Sequence, residues 1–210
     1  MTFSLAVRTV PKREALMASL LVRLRGMLQS PDVLGLHISA NADVAPNENG
    51  CRALEAALAD RADWIVFFED DAGPIDDLVG SLQRWLAAYA AAWVHIYPLG
   101  CQYPLPEGDA WQYPIDAFYC SVAMVMRPSL VPEMISYFRC RPYLVQSFDI
   151  LLGRWHKAAS ECPHMLTPVP CFVDHLGDDS TLAETRPGHD AVGHFQGFKG
   201  YDFSYGGVHA

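Results

Sequence analysis

The stretch Trp64-Ile65-Val66-Phe67-Phe68-Glu69-Asp70-Asp71 decides how this sequence is interpreted, because an apolar run leads directly into three consecutive carboxylates. An uninterrupted apolar run of this length is typical of a strand buried on both faces of a parallel sheet. Open α/β sheets bind their ligands beyond the carboxyl ends of such strands. Adjacent carboxylates repel one another unless positive charge lies between them. A divalent cation held by oxygen ligands is the simplest source of that charge.

The plainer interpretation of the acidic residues is a solvated loop that caps the next helix, since Asp71 or Asp76 could serve as a helix cap. That explanation suits single acidic residues better than three that directly follow a buried run. We therefore expect a metal or polar-ligand role for the acidic cluster, by which we mean Glu69, Asp70 and Asp71.

Size and charge narrow the class of protein. The chain has 210 residues, 51% of them hydrophobic, which suits one globular domain with a substantial core. A net charge of −9 disfavours a nonspecific nucleic-acid binder. Local basic patches are still present, and they comprise Arg8, Lys12, Arg13, Arg23 and Arg25 early in the chain and Arg139, Arg141, Arg154 and Lys157 later.

The sequence also bears on compartment. No apolar run reaches the roughly 18 residues of a membrane span, and the N-terminus lacks the basic segment of a signal peptide. The six cysteines are scattered without a CxxC pair, which favours reduced thiols, with one or two disulfides as the alternative. We expect a cytoplasmic protein without a membrane span.

Strand-like and helix-like segments alternate along the chain, which predicts an α/β fold with a layered sheet. Strands are predicted at 3–7, 34–38, 64–68, 93–97 and 118–126, with a last strand edge at 168–175. Helices are predicted at 14–28, 51–60, 75–91, 127–138 and 149–157. Loops are predicted at 8–13, at 39–50 and from 98 through Trp111, and Gly73-Pro74 is predicted to break the chain.

Further candidate ligands follow other predicted strands. Arg8, Thr9 and Arg13 come after the first strand and could hold a phosphate or a base edge. Asp43 comes after the second strand and could accept a hydrogen bond from a ribose hydroxyl. His175 follows the last strand edge and could bind a metal as neutral imidazole. The alternatives are ordinary surface residues and, for His175, a core or turn histidine.

The order of these features resembles the GT-A class of nucleotide-sugar glycosyltransferases over residues 3–182. The features are strand, helix, strand, Asn/Gly-containing loop, Ala-rich helix, the strand that ends in the acidic cluster, and a late His-Leu-Gly-Asp-Asp-Ser segment at 175–180. The resemblance implies a Rossmann-like three-layer α/β/α fold with a mainly parallel central sheet. It implies one domain over 1–210, with a nucleotide-sugar-binding half (1–100), an acceptor-side half (101–182) and a flexible aromatic tail or lid (183–210).

The same resemblance assigns roles to individual residues. The acidic cluster matches the DxD motif of that class, so Asp71 together with His175 would bind Mn²⁺ or Mg²⁺. Glu69 would face the ribose or sugar of the nucleotide-sugar donor, expected to be a UDP-sugar. Asp70, between Glu69 and Asp71, would also belong to the donor-binding residues. Asp149 is the candidate base that deprotonates the acceptor hydroxyl in an inverting reaction, and a plain helix cap is its alternative.

The acceptor is left open by the sequence. The compact size, the Arg8-Thr9-Val10-Pro11-Lys12-Arg13-Glu14 opening and the aromatic tail resemble phage glycosyltransferases that modify 5-hydroxymethylcytosine in DNA, the group found beside TET-type oxygenases. A flipped base could then stack on Trp111, Tyr113, Phe198 or Tyr201. A saccharide or another non-DNA acceptor is the alternative.

Two other functions are also compatible with the sequence. They are a metal-dependent phosphoesterase and a non-catalytic nucleotide-sugar or metal-binding module. The sequence predicts no particular oligomeric state.

Overall fold

A seven-stranded sheet forms the centre of the protein in the computed structural model, which describes residues 1–89, 93–95, 110–113, 121–140, 148–158, 165–168 and 171–175. The strands are β1 (Phe3–Arg8), β2 (Val33–Ser39), β3 (Trp64–Glu69), β4 (Ala72–Pro74), β5 (Trp93–His95), β6 (Ala110–Tyr113), β7 (Ala123–Met126), β8 (Met165–Pro168) and β9 (Val173–His175). The large sheet has the order β2-β1-β3-β7-β5-β8-β6, and β4 pairs with β9 in a separate two-stranded sheet.

Most strands of the large sheet run in the same direction. β1 pairs in parallel with both β2 and β3, and β5 pairs in parallel with β8. β7 is antiparallel to both β3 and β5, so those two strands point the same way, and β6 is antiparallel to β8. The prediction of an α/β fold with a mainly parallel sheet is therefore confirmed.

The described helices are α1 (Glu14–Met27), α2 (Pro46–Leu58), α3 (Leu78–Ala88), α4 (Val131–Arg139) and α5 (Phe148–Ala158). Alternate side chains of β3 enter two separate apolar clusters, because successive residues of a strand point to opposite faces. Trp64, Val66 and Phe68 pack with residues of α1 and α3, whereas Ile65 and Phe67 pack with residues of α2, α4 and α5. β3 is thus buried on both faces, as its apolar run predicts.

Helix α2 begins earlier than predicted. The segment Pro46-Asn47-Glu48-Asn49-Gly50 is typical of a loop, yet it forms the first turns of α2, with Pro46 at the start of the helix. Tertiary contacts outweigh the low helix propensity here. Gly50 is needed because an added Cβ would lie 2.5 Å from Cε2 of Phe148, which packs directly against this turn.

The short strands were predicted least well. Gly73-Pro74 forms part of β4 rather than a break, and β6 begins within the predicted loop and pairs with β8. These strands are stabilised by partners distant in the chain, so local periodicity carries little signal for them. Residues 96–97, 118–120 and 183–210 lie outside the described residues, so the expectations for them stay predictions.

The structure bears on two of the expectations, the one about a membrane span and the one about the state of the cysteines. In the described part of the chain, no helix is long and apolar enough to cross a membrane. Cys51 and Cys140 are free thiols, Cys171 is buried, and burial raises the pKa of Cys51 to about 12. The other cysteines lie outside the described residues.

Asp60, which follows α2, joins the first two strands. Its Oδ2 accepts a hydrogen bond from Ser4 Oγ of β1 at 2.7 Å and contacts His37 Nε2 of β2 at 2.7 Å. Burial acts to raise the pKa of Asp60, but the hydrogen bonds from Ser4 and His37 outweigh it and lower that pKa below its ordinary value. A lowered pKa in the folded state means that the ionised carboxylate stabilises the fold.

We expect Asp60→Asn to lower the free energy of unfolding by about 1 kcal/mol at neutral pH. The stabilisation is present above the unfolded-state pKa of about 3.9 and is lost as pH falls through the lower folded-state pKa. Urea unfolding of both proteins between pH 7 and pH 3 measures this. The exposed Asp43→Asn serves as the control, and a difference for Asp60→Asn that stays constant down to pH 3 contradicts the assignment.

Candidate functional site

Three parallel strands end at the same level of the sheet, which brings their following loops together. Arg8, the last residue of β1, is paired in register with Ser39 of β2 on one side and with Glu69 of β3 on the other. The loop after β1 therefore lies beside Asp70 and Asp71. This is the carboxyl edge at which open α/β sheets bind ligands.

Glu69 is held between Arg8 and Ser121. Arg8 Nη2 lies 2.9 Å from Glu69 Oε2, and the Ser121 hydroxyl donates a hydrogen bond to Glu69 Oε1. The backbone N–H of Glu69 also donates to the carbonyl of Val122, which places Ser121 next to the carboxylate. Burial raises the pKa of Glu69, because Arg8 and Ser121 offset only part of the desolvation and of the repulsion from Asp71.

Asp70 and Asp71 share the guanidinium of Arg13. Arg13 Nη1 lies 2.5 Å from Asp70 Oδ1, and Arg13 Nη2 binds Asp71 Oδ2. Asp70 Oδ2 also accepts a hydrogen bond of 2.6 Å from Thr9 Oγ1. Burial raises the pKa of Asp70 despite these contacts. Burial alone would lower the pKa of Arg13, but the charges of Asp71 and Asp70 outweigh it and raise that pKa above its ordinary value.

Arginine side chains thus supply positive charge to the acidic cluster. Arg8, Thr9 and Arg13, the predicted phosphate or base ligands, bind the carboxylates themselves. Among the described side chains, no group of three or more His, Cys, Asp or Glu is placed to hold a metal ion. The metal role of Asp71 and the donor-binding roles of the other residues stay predictions.

The backbone of His175 lies next to the acidic cluster. β9 pairs antiparallel with β4, and in this register His175 is opposite Ala72, the residue that follows Asp71. The backbones of Asp71 and His175 therefore lie close together, although some 100 residues of chain separate them, and their shared metal role stays a prediction. The side chain of His175 lies outside the described residues.

The first turn of α5 also reaches this edge of the sheet. The ring of Phe148 stacks on Phe67 of β3 with centroids 5.0 Å apart, and the guanidinium of Arg8 lies 5.0 Å from the centroid of the Phe148 ring. Asp149 follows Phe148 within the first turn of α5 and is half-buried. Arg8 therefore connects the acidic cluster with the helix that carries the candidate base.

The loop after β2 is tied to the loop after β1 by Asn49. This side chain is fully buried, and its Oδ1 accepts hydrogen bonds from Ser39 Oγ at 2.9 Å and from Asn41 N–H at 3.1 Å. Its Nδ2 donates to the carbonyl of Asn41 at 2.9 Å and to that of Thr9 at 3.5 Å. Asp43, the predicted ribose ligand, is exposed in this loop, and its N–H donates to Asn41 Oδ1.

Replacing Asn49 by Ala should lower the free energy of unfolding by roughly 2–3 kcal/mol, because buried hydrogen-bonding groups of both loops lose their partner. Urea unfolding at neutral pH measures the loss. Asn41→Ala is the matched control, since it removes only the exposed contact to Asp43, and we expect a loss of about 0.5 kcal/mol. Equal losses in the two variants would contradict the role of Asn49.

Sequence reasoning missed Ser121, Asn49 and Phe148. Ser121 is 2% exposed and binds Glu69, but a single serine within the predicted strand 118–126 carries no local signal of such a contact. Asn49 was assigned to a loop of ordinary composition. Phe148 lies just before the predicted helix 149–157, but it belongs to the first turn of α5, where an aromatic residue is a reasonable packing candidate.

The later basic cluster is partly used within the protein. Arg139 Nη2 lies 2.7 Å from Glu48 Oε1, and Arg139 Nη1 lies 2.5 Å from Glu55 Oε1, which joins α4 to α2. The hydrogen bond from Arg139 lowers the pKa of Glu48. Of the cations that could have contacted nucleic-acid phosphates, Arg8, Arg13 and Arg139 are thus engaged by carboxylates.

Comparisons with known proteins support the fold. No protein-family model matches the chain, and no curated protein sequence matches it. Among solved structures, that of S. aureus TarS 1-349, a glycosyltransferase, is similar with a TM-score of 0.54 and 14% sequence identity. The two share a fold. The match covers 80% of this chain and 58% of the TarS chain, so this chain spans little more than half of that structure.

This likeness is one of fold and gives no information on substrate. It agrees with the mainly parallel α/β sheet of this chain.

Proposed function

We propose that this protein is a metal-dependent glycosyltransferase that moves a sugar from a nucleotide-diphosphate sugar, expected to be a UDP-sugar, to an acceptor hydroxyl. The observation that carries the proposal is the buried acidic cluster at the carboxyl end of β3, in a fold shared with a glycosyltransferase. The three-layer GT-A arrangement and the division into donor and acceptor halves belong to this proposal.

The acidic cluster is chemically suited to a divalent cation. Its oxygen donors are those that Mg²⁺ and Mn²⁺ prefer, and Arg13 already places a positive charge between Asp70 and Asp71. Asp71 and His175 would hold the metal. When bound, the metal stabilises the negative charge that grows on the departing nucleotide diphosphate. The position of the Arg13 guanidinium supports a metal site here, since two carboxylates stabilise a cation at this point.

The remaining residues would bind and orient the two substrates. Glu69, held by Arg8 and Ser121, would accept hydrogen bonds from the ribose or the sugar of the donor. Asp43 is exposed in the loop after β2, where it is accessible to a ribose hydroxyl. Arg8, Thr9 and Arg13 would contact the donor's phosphates or base. Asp70, 2% exposed and bound by Thr9 and Arg13, would orient these two side chains.

Asp149 would deprotonate the acceptor hydroxyl in an inverting reaction. Its place supports this role, because Phe148 anchors the first turn of α5 against Phe67 and Arg8 beside the acidic cluster. Arg8 contacts both Glu69 and the ring of Phe148, so the first turn of α5 lies near the proposed donor ligands. The base needs to reach only the proton of the incoming hydroxyl.

Hydrolysis of donors tests the function directly. The protein is incubated with UDP- and GDP-sugars in the presence of Mn²⁺, and released nucleotide is measured with and without EDTA. Metal-dependent release from a subset of donors supports a transferase. Binding of donors without release favours a non-catalytic module, whereas release of phosphate from a generic phosphodiester favours a phosphoesterase.

The acceptor is tested by transfer of radiolabelled sugar. The panel contains duplex DNA with 5-hydroxymethylcytosine, the same duplex without the modification, and saccharide acceptors. Label in modified DNA alone assigns the hydroxymethyl acceptor, and label in a saccharide alone assigns a non-DNA acceptor. The engagement of Arg139 by Glu48 and Glu55 favours the second outcome, because this charge is not available to DNA phosphates in this state.

A further inference from the structure

Arg13 occupies the position where a cation shared by Asp70 and Asp71 would bind. Its two terminal nitrogens each contact a different carboxylate, so one guanidinium bridges both residues. Charge-assisted contacts of this fork geometry are among the strongest hydrogen bonds in proteins. The bridge is largely shielded, since the side chains of Arg13, Asp70 and Asp71 are 12%, 2% and 6% exposed.

The net charge of the side chains around this bridge balances that of a divalent cation only when Arg13 has left. With all carboxylates ionised, the acidic cluster together with Arg8 and Arg13 carries one net negative charge. Without Arg13 it carries two, which equals the charge of Mn²⁺ or Mg²⁺. A metal that binds beside an undisplaced guanidinium would meet direct repulsion and fewer available oxygen atoms.

The attachment of Arg13 allows it to leave without disturbing the sheet. Arg13 lies in the short 3-10 turn Pro11–Arg13 before α1, outside β1, and its side chain makes no capping hydrogen bond to the helix. Arg8, in contrast, is within β1 and is wedged between Glu69 and the ring of Phe148. Rotation of one long side chain is therefore sufficient to open the two carboxylates.

We propose that Arg13 is an internal counter-cation that competes with the divalent metal for Asp70 and Asp71, so that metal binding requires displacement of its guanidinium. The inference rests on the proposed metal role of the acidic cluster. It makes metal affinity a property set by Arg13 and not by the acidic residues alone.

The test measures Mn²⁺ affinity in the absence of donor, from the electron paramagnetic resonance signal of free Mn²⁺. We expect Arg13→Gln to bind Mn²⁺ at least about tenfold more tightly than the unaltered protein, since a bridging ion pair no longer competes. Lys12→Gln is the matched control. Lys12 is the exposed neighbour in the same turn, so this variant makes the same change in net charge without removing the bridge.

A second variant keeps the test valid if loss of the bridge prevents folding. Arg13→Lys retains the charge but cannot bridge both carboxylates in the fork geometry, so we expect an affinity between those of Arg13→Gln and the unaltered protein. Circular dichroism and the midpoint of urea unfolding establish that each variant is folded. Tighter binding is the informative direction, because structural damage to the site would weaken metal binding.

The outcomes separate the inference from the proposed function. Tighter Mn²⁺ binding in Arg13→Gln, graded through Arg13→Lys and absent in Lys12→Gln, supports the competition. Equal or weaker binding in Arg13→Gln, with measurable binding by the unaltered protein, overturns the competition but leaves the metal role standing. No binding by any of these proteins overturns both.

Discussion

Under the proposed function, replacing Asp71 by Asn should reduce sugar transfer about 100- to 1000-fold, because it removes the charge of the proposed metal ligand while the shape of the side chain is kept. We expect weaker Mn²⁺ binding in the same variant. Steady-state rates with saturating donor, together with Mn²⁺ titration, measure the two effects. The loss should appear in kcat as well as in KM for the donor, since the proposed metal would stabilise charge that develops in the transition state.

The control for this prediction is Asp76→Asn. Asp76 is an exposed carboxylate five residues further along the chain, so the substitution makes the same chemical change outside the acidic cluster. It should leave transfer and metal binding unchanged. Because Asp71 also binds Arg13, urea unfolding of the Asp71 variant has to show that the fold is retained. A folded Asp71→Asn protein with full activity and full donor affinity rules out the metal role of Asp71.

Replacing Phe148 by Ala should lower the free energy of unfolding by about 3–5 kcal/mol, the usual loss for a large buried aromatic residue. Phe148 is fully buried. Its ring stacks on that of Phe67 with centroids 5.0 Å apart, and it forms a T-shaped pair with Phe138 with centroids 5.2 Å apart. Its removal leaves a cavity between β3, α4 and α5 and takes away the aromatic face beneath Arg8. Urea unfolding at pH 7 measures the loss.

Val22→Ala is the matched control for a lost apolar side chain. Val22 lies in α1 and is 64% exposed, so the change should stay within about 0.5 kcal/mol. Phe148→Leu should recover part of the stability, since leucine fills some of the cavity, but not the contact with Arg8. If Phe148→Ala loses less than about 1 kcal/mol, α5 is not anchored through this ring, and the placement of Asp149 by Phe148 is wrong.

The central strands were predictable because the pattern of their residues indicates both burial and register. The run 64–68 has no polar interruption, which only a strand covered on both faces tolerates. α1 was predicted at 14–28 and observed at Glu14–Met27, since apolar residues recur there at helical spacing over several turns. The start of α2, β4 and β6 escaped prediction because contacts with Phe148, β9 and β8 outweigh their local preferences.

For the candidate site, the sequence by itself determined the chemistry at one end of one strand. Three carboxylates after a buried run require positive charge nearby, and that requirement follows from desolvation and repulsion alone. Only the tertiary structure decided which groups supply it. The parallel register of β1 and β3 brings Arg8 beside Glu69 and places Arg13 between Asp70 and Asp71. The pairing of β4 with β9 brings the backbone of His175 beside them. Such neighbours are distant in the chain, and it is backbone pairing across the sheets, absent from any local pattern, that brings them together.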